Sequence, residues 1–210
     1  MKTKIIIQRH GQSVGNACEV YLGHTDLPLT NKGREQARLC AEYLKGERID
    51  AVYSSDLKRA YATALPHAEL RGLKVQTSKQ LRELFVGDWE GMLVPEIIEQ
   101  YGEEFTVRRT FRGFTYPGGE SLYDAYIRMR DELIRIAKEN EGKTVLVVSH
   151  SAAIRALWYY LSEYTDENML DRVPFMLNSS YSVLYYEDGA LTPGEYGVTA
   201  HLPKNTVYQA

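Results

Sequence analysis

The sequence predicts an α/β fold built on a mostly parallel central sheet, and two observations lead there. Ile5-Ile6-Ile7 and Val145-Leu146-Val147-Val148 have the length and β-branched character of strands buried on both faces. Helical periodicity follows a strand twice over in the first part of the chain, the signature of βαβ units.

The first strand runs into Gln8-Arg9-His10-Gly11-Gln12-Ser13-Val14-Gly15-Asn16. A parallel strand ending in a glycine-containing loop places its next side chains in the crevice at the carboxyl edge of the sheet. Arg9 offers a fork of donors to an oxyanion, and Gly11 lets backbone come close to a ligand. His10 lies between them and is the candidate nucleophile.

Turn chemistry at Gly23–Leu29 leads to Thr30, an expected helix N-cap. Ala37, Cys40, Ala41 and Leu44 then recur at helical spacing along one face. Ile49–Tyr53 reads as a second strand, and Ser54-Ser55-Asp56 as the start of a helix carrying Arg59. A third strand is expected at Lys74-Val75-Gln76, before the glycine-punctuated loop Leu81–Gly91.

From Pro95 to Gly119 the pattern weakens to one short helix and a turn at Pro117-Gly118-Gly119. The segment around 92–119 is therefore expected to be a lid or insertion. Leu122, Ala125, Tyr126, Met129, Leu133, Ile136 and Ala137 give the clearest amphipathic helix. It should stop near Gly142. His150 follows the Val145–Val148 strand, and a helix is expected over Ala152–Leu161. Tyr181–Tyr186 and Tyr196–His201 read as late strands at a sheet edge.

The 210 residues suffice for one buried core and are too few for two ordinary domains, so 1–210 is expected to be a single domain. Apolar and charged contents of 44% and 25% are those of a soluble globular protein. A net charge of −3 argues against a nucleic-acid partner and leaves only a local cationic pocket to attract an anion. No stretch approaches the roughly 20 apolar residues of a membrane span. The isoleucine run is too short for a signal peptide. Cys18 and Cys40 have no metal-like spacing and read as free thiols of a cytoplasmic protein.

In one parallel sheet, the histidines after the first and Val145–Val148 strands would meet at one edge, joined by Arg9 and Arg59. Two arginines and two histidines without a carboxylate cage suit a phosphoryl group better than a metal. The guanidiniums also disfavour a protonated His10, and the neutral imidazole is the form that attacks phosphorus.

Six blocks in order strengthen this reading: Arg9-His10-Gly11 with Asn16; Asp26–Thr30 with Gly33, Gln36 and Ala37; Ser54-Ser55-Asp56-Leu57 with Arg59 and Ala60; Leu81-Arg82-Glu83 with Gly87 and Trp89-Glu90-Gly91; Pro117–Ser121; and Val148-Ser149-His150. Along nearly its whole length the chain resembles the histidine phosphatase superfamily, in its phosphoglycerate mutase-like branch. The resemblance implies a three-layer αβα sandwich and a phosphohistidine mechanism that needs no metal and no organic cofactor. By this likeness His10 attacks, Arg9, Arg59 and His150 hold the phosphoryl oxygens, and Asn16 adds a donor. Glu83 protonates the leaving oxygen and then serves as base.

The expected activity is hydrolysis of a small phosphomonoester. The alternative is a 2,3-bisphosphoglycerate-dependent phosphoglycerate mutase, and a lesser one a non-catalytic phospho-ligand binder. Glu83–Gly91 and the short distance from Gly91 to Pro117 resemble the phosphatases, whereas Tyr101–Glu104 with Arg108-Arg109 echoes the mutases. A homodimer paired through an edge strand is a further expectation.

Two positions depart from the family pattern. Gln12 replaces the commoner Glu and keeps a hydrogen-bonding amide. Ser151 replaces the usual glycine and either narrows the phosphate pocket or adds a hydroxyl donor to it. Among the remaining residues, His24, His67 and His201 read as structural or exposed, and Trp89-Glu90-Gly91 as loop packing. Asp88 and Glu90 compete with Glu83 for the acid's role. Cys18 reads as an idle thiol. Arg108, Arg109 and Arg112 form either a solvated face or a contact to a second anionic group on the substrate.

Overall fold

The computed structural model describes residues 1–107, 114–164 and 172–203. Among the described residues six strands form one sheet: β1 (Thr3–Arg9), β2 (Ala51–Ser55), β3 (Val75–Ser78), β4 (Thr144–Ser149), β5 (Tyr181–Glu187) and β6 (Ala190–Pro193). Their spatial order is β3-β2-β4-β1-β5-β6. The first four in that order run parallel, while β5 is antiparallel to β1 and β6 to β5.

The helices are α1 (Val14–Ala17), α2 (Asn31–Tyr43), α3 (Lys58–Glu69), α4 (Val94–Val107), α5 (Leu122–Glu139) and α6 (Ser151–Leu161). Strand alternation sorts them into layers. Ile5, Ile7, Val145 and Val147 pack into one core with α5 and α6, and Ile6, Val52, Leu146 and Val148 into another with α2 and α3. Each such buried side chain contributes roughly 1.5–3 kcal/mol relative to exposure. The result is the three-layer αβα sandwich that the sequence predicted.

Local chemistry sets the helix starts. Thr30 accepts a hydrogen bond from the Gly33 amide at 3.0 Å, capping α2. Ser121 and Asp124 cap the start of α5 reciprocally.

Four expectations about elements are corrected. Ser54 and Ser55 belong to β2, where both pair with β3, and α3 begins only at Lys58. Pairing of β2 on both sides overrides the capping preference of those serines. The late strands are also rearranged. β5 lies inside the sheet between β1 and β6, with Leu184 wholly buried. The last strand is β6, reached through Asp188-Gly189, whose φ values of 52° and 87° suit a two-residue hairpin turn. Tyr196–His201 touches β5 only through a bridge from Val198 to Tyr181. Finally, α4 is longer than the short helix expected and bends at Tyr101, where φ is −129°.

Among the described residues no helix is long and apolar enough to cross a membrane.

Candidate active site

The parallel pairing of β1 with β4 sets Arg9 opposite Ser149, so His10 and His150 leave the sheet at one level. The His10 amide donates to the Ser149 carbonyl at 3.0 Å, and the two rings lie 5.1 Å apart at 60°. His10 Nδ1 is 2.6 Å from the Gly11 carbonyl. A carbonyl only accepts, so Nδ1 carries the hydrogen and Nε2 holds the lone pair.

Burial, then the charges of Arg59 and Arg9, hold His10 well below the ordinary imidazole range. Burial and the Arg59 charge do the same to His150. Both rings are therefore neutral at neutral pH.

Arg9 Nη1 donates to the Met176 carbonyl, and its guanidinium lies 4.7 Å from the centre of the Phe175 ring. Burial pushes Arg9 down to about 10, still cationic at neutral pH. Arg59 donates through Nη1 to the Thr25 carbonyl at 2.7 Å and through Nη2 to the Gly23 carbonyl at 2.8 Å.

Buried polar atoms without partners are uncommon. Here Arg9 Nε, Arg59 Nε, both His150 ring nitrogens and Ser151 Oγ are all unpartnered. Of these, Arg9, Arg59 and Ser151 line a cavity of about 210 Å³, with His10, Asn16 and Glu83 completing its polar side. Val20, Tyr21, Leu22, Leu84, Val86, Tyr116, Ala152 and Phe175 form the apolar wall. Donors left unsatisfied around a concave site are what an oxyanion would satisfy.

Asn16 Oδ1 accepts from the Ser13 amide, the Ser13 hydroxyl and Asn178 Nδ2, which leaves the Asn16 amide nitrogen as its donor toward the cavity. Glu83 is held by backbone: Oε1 accepts from the Leu84 and Ala153 amides at 3.0 and 2.8 Å, and Oε2 from Ala152 at 3.2 Å. The competing Glu90 is engaged elsewhere. Its carboxylate accepts from the His24 and Thr25 amides at 2.6 and 2.8 Å, bracing the loop whose carbonyls hold Arg59.

Gly11 does not line the cavity. Its close neighbour is α2, where an added Cβ would fall 2.3 Å from the Gly33 carbonyl oxygen. The glycine lets two segments of chain touch. His67 and His201 are buried rather than exposed. His24 Nε2 donates to the Glu83 carbonyl at 2.9 Å, closer to the site than expected. Cys18 is exposed and Cys40 buried, both free. Arg108, Arg109 and Arg112 lie outside the described residues.

Phe175, Met176, Asn178 and Arg128 reach the site without any local sequence signal, since each arrives from a distant part of the chain. Among the described residues no group of three or more His, Cys, Asp or Glu could hold a metal ion.

The description "Histidine phosphatase superfamily (branch 1)" matches residues 5–198. The chain belongs to the histidine phosphatase superfamily. It is 36% identical over 205 residues to phosphoserine phosphatase 1 of Hydrogenobacter thermophilus, covering 95% of this chain and 94% of that protein. It is 37% identical over 172 residues to 2,3-bisphosphoglycerate-dependent phosphoglycerate mutase 2 of Gloeobacter violaceus, covering 79% and 78%. A mycobacterial glucosyl-3-phosphoglycerate phosphatase superposes with a TM-score of 0.84 at 29% identity, covering 93% of this chain and 99% of that one. In this histidine phosphatase the shared fold brings His10, His150, Arg9 and Arg59 close together.

Proposed function

We propose that this chain hydrolyses small phosphoric monoesters through a phosphohistidine formed on His10 Nε2. The observation that carries the reading is a neutral His10 with its Nε2 lone pair free, beside guanidiniums with unpartnered buried donors. Nε2 attacks phosphorus and the bond to the ester oxygen breaks. Glu83 gives its proton to that oxygen, because an alkoxide leaves poorly. Water then attacks the phosphohistidine, losing its proton to Glu83, and phosphate leaves with His10 restored.

Arg9, Arg59, His150 and Asn16 hold the phosphoryl oxygens while charge shifts among them. Ser151 Oγ adds a donor. The arginines supply the positive charge, so no metal or organic cofactor takes part. The 92–119 segment, which brings Tyr116 to the cavity wall, covers the leaving group.

Hydrolysis is favoured over mutase chemistry because the phosphatase relatives match nearly the whole chain. The free thiols fit a cytoplasmic location, and the sheet's edge strands β3 and β6 offer the surface for a homodimer.

Phosphorus NMR tests the activity. The protein is mixed with 3-phosphoglycerate, a trace of 2,3-bisphosphoglycerate and excess EDTA, with an aryl phosphate in a parallel tube. Release of inorganic phosphate in either tube, lost in His10→Ala, is expected. Formation of 2-phosphoglycerate without phosphate release would make the protein a mutase. Hydrolysis surviving His10→Ala would overturn the phosphohistidine.

A further inference from the structure

Arg128 lies on α5, outside every motif that assigns a role in phosphoryl transfer, yet every donor of its guanidinium is taken, three by backbone around Glu83 and two by Glu120. Guanidinium has five N–H donors. Nη1 donates to the Gln80 carbonyl at 2.7 Å and to the Arg82 carbonyl at 2.8 Å. Nη2 donates to the Glu83 carbonyl at 2.9 Å and to Glu120 Oε1 at 2.6 Å, and Nε to Glu120 Oε2 at 3.1 Å. These five bonds match the five hydrogens.

Glu120 completes the arrangement from the other side. Its Oε1 accepts from the Phe85 amide at 2.8 Å, and its own amide donates to the Phe85 carbonyl at 2.9 Å. The pair therefore grips the backbone before, at and after Glu83. Both side chains of the ion pair are largely shielded, at 16% and 17% exposure. They are thus less screened than a surface pair.

Three carbonyls of one short irregular loop converge on a single cation that a helix holds rigidly. A loop lacks the hydrogen-bond ladder that fixes a strand, so its side chains are only as well placed as its backbone is held. His24 adds a second donor to the same Glu83 carbonyl.

We propose that Arg128, braced by Glu120, is the positioning residue for the Glu83 carboxyl and sets how well the enzyme cleaves esters with poor leaving groups. This rests on the reading of Glu83 as general acid. Arg128 touches neither substrate nor the reacting atoms in that scheme.

General-acid catalysis matters in proportion to the basicity of the leaving oxygen. A nitrophenolate departs without a proton, whereas the alkoxide of a simple alkyl phosphate needs one. A loop that displaces Glu83 should therefore penalise alkyl phosphates selectively. A merely structural Arg128 would weaken both substrates alike.

The test compares kcat/KM for p-nitrophenyl phosphate and for 2-phosphoglycerol in the wild type, Glu83→Gln, Arg128→Gln, Arg128→Lys and Glu120→Gln. That parameter covers the steps through the first irreversible transfer, where the leaving group departs. Arg128→Gln is expected to lose about tenfold or more on the alkyl ester and no more than about threefold on the aryl ester. Glu83→Gln should show the same split, larger. Arg128→Lys, with three donors, should fall between wild type and Arg128→Gln.

Equal losses on both esters in Arg128→Gln, or an unchanged ratio, would overturn the positioning role. Should Arg128→Gln fail to fold, Arg128→Lys and Glu120→Gln decide by the same ratio. A Glu83→Gln variant without the split would overturn Glu83 as the acid, and the role of Arg128 with it.

Discussion

At the scale of single residues, the site turns on which nitrogen of His10 is free. The Gly11 carbonyl takes the Nδ1 hydrogen, and burial with two neighbouring guanidiniums keeps the ring uncharged. The sign is clear: a pKa held below the free value means that His10 stays neutral where a free imidazole would protonate. In the free protein, a proton-detected NMR titration should show no His10 protonation around pH 6.5, the usual midpoint. A normal midpoint there would remove the electrostatic support for His10 as the proposed nucleophile. The same logic covers His150, whose buried ring nitrogens are both unpartnered.

At the scale of elements, the turn after β1 depends on its fit against the start of α2. Gly11 and Gly33 approach so closely that neither tolerates a side chain: a Cβ on Gly33 would lie 2.0 Å from the Gln12 carbonyl oxygen. Gly11→Ala must push β1's loop away from α2, and overpacking of this kind costs typically 1–3 kcal/mol. For a chain of this length the melting temperature should fall by about 2–12 °C. Activity should fall as well, because the displaced Gly11 carbonyl orients His10. An unchanged melting temperature would show that the contact is slack. Gly87 makes a comparable contact near Glu83: at φ +54° it lies so close to the 117–119 turn that a Cβ would fall 2.1 Å from the Pro117 carbonyl oxygen. The Glu83 loop and the turn preceding α5 are thus fitted together by backbone as well as by the Arg128–Glu120 pair.

For the molecule as a whole, burial of histidine sets a vulnerability to acid. His67, on α3, is wholly buried with both ring nitrogens unpartnered, and burial pushes it down to about 3. Its folded pKa lies below the unfolded value, so the stability it confers is full above about pH 6.5 and drains away as pH falls toward 3. By pH 5 the loss from this group is about 2 kcal/mol. His67→Leu keeps a similar volume and removes the unpaired donor and acceptor. Its melting temperature should hold at pH 7.5 and fall less steeply between pH 6.5 and 4.5 than that of the wild type. Parallel pH dependences would exclude His67 as a source of acid lability. His10 and His150 carry the same sign in both proteins, so the slope should flatten rather than vanish.

The sequence by itself determined what is local. Apolar runs mark β1 and β4, the residues that follow them are His10 and His150, and helical spacing marks α2 and α5. A buried parallel strand needs apolar side chains on both faces, and that demand is written in consecutive residues. The helix after the second strand brought Arg59 to the same edge, and the family likeness then added Glu83. Only the tertiary structure decided the interior place of β5, the hairpin to β6, the contact of Gly11 with α2, and the meeting of Phe175, Met176 and Asn178 with residues more than a hundred positions earlier. It also decided that Arg128 spends three donors on the backbone around Glu83 and two on Glu120. Such contacts depend on which strands pair and how the helices pack over them. An arginine on an amphipathic helix has the same local pattern whether it faces water or grips a distant backbone.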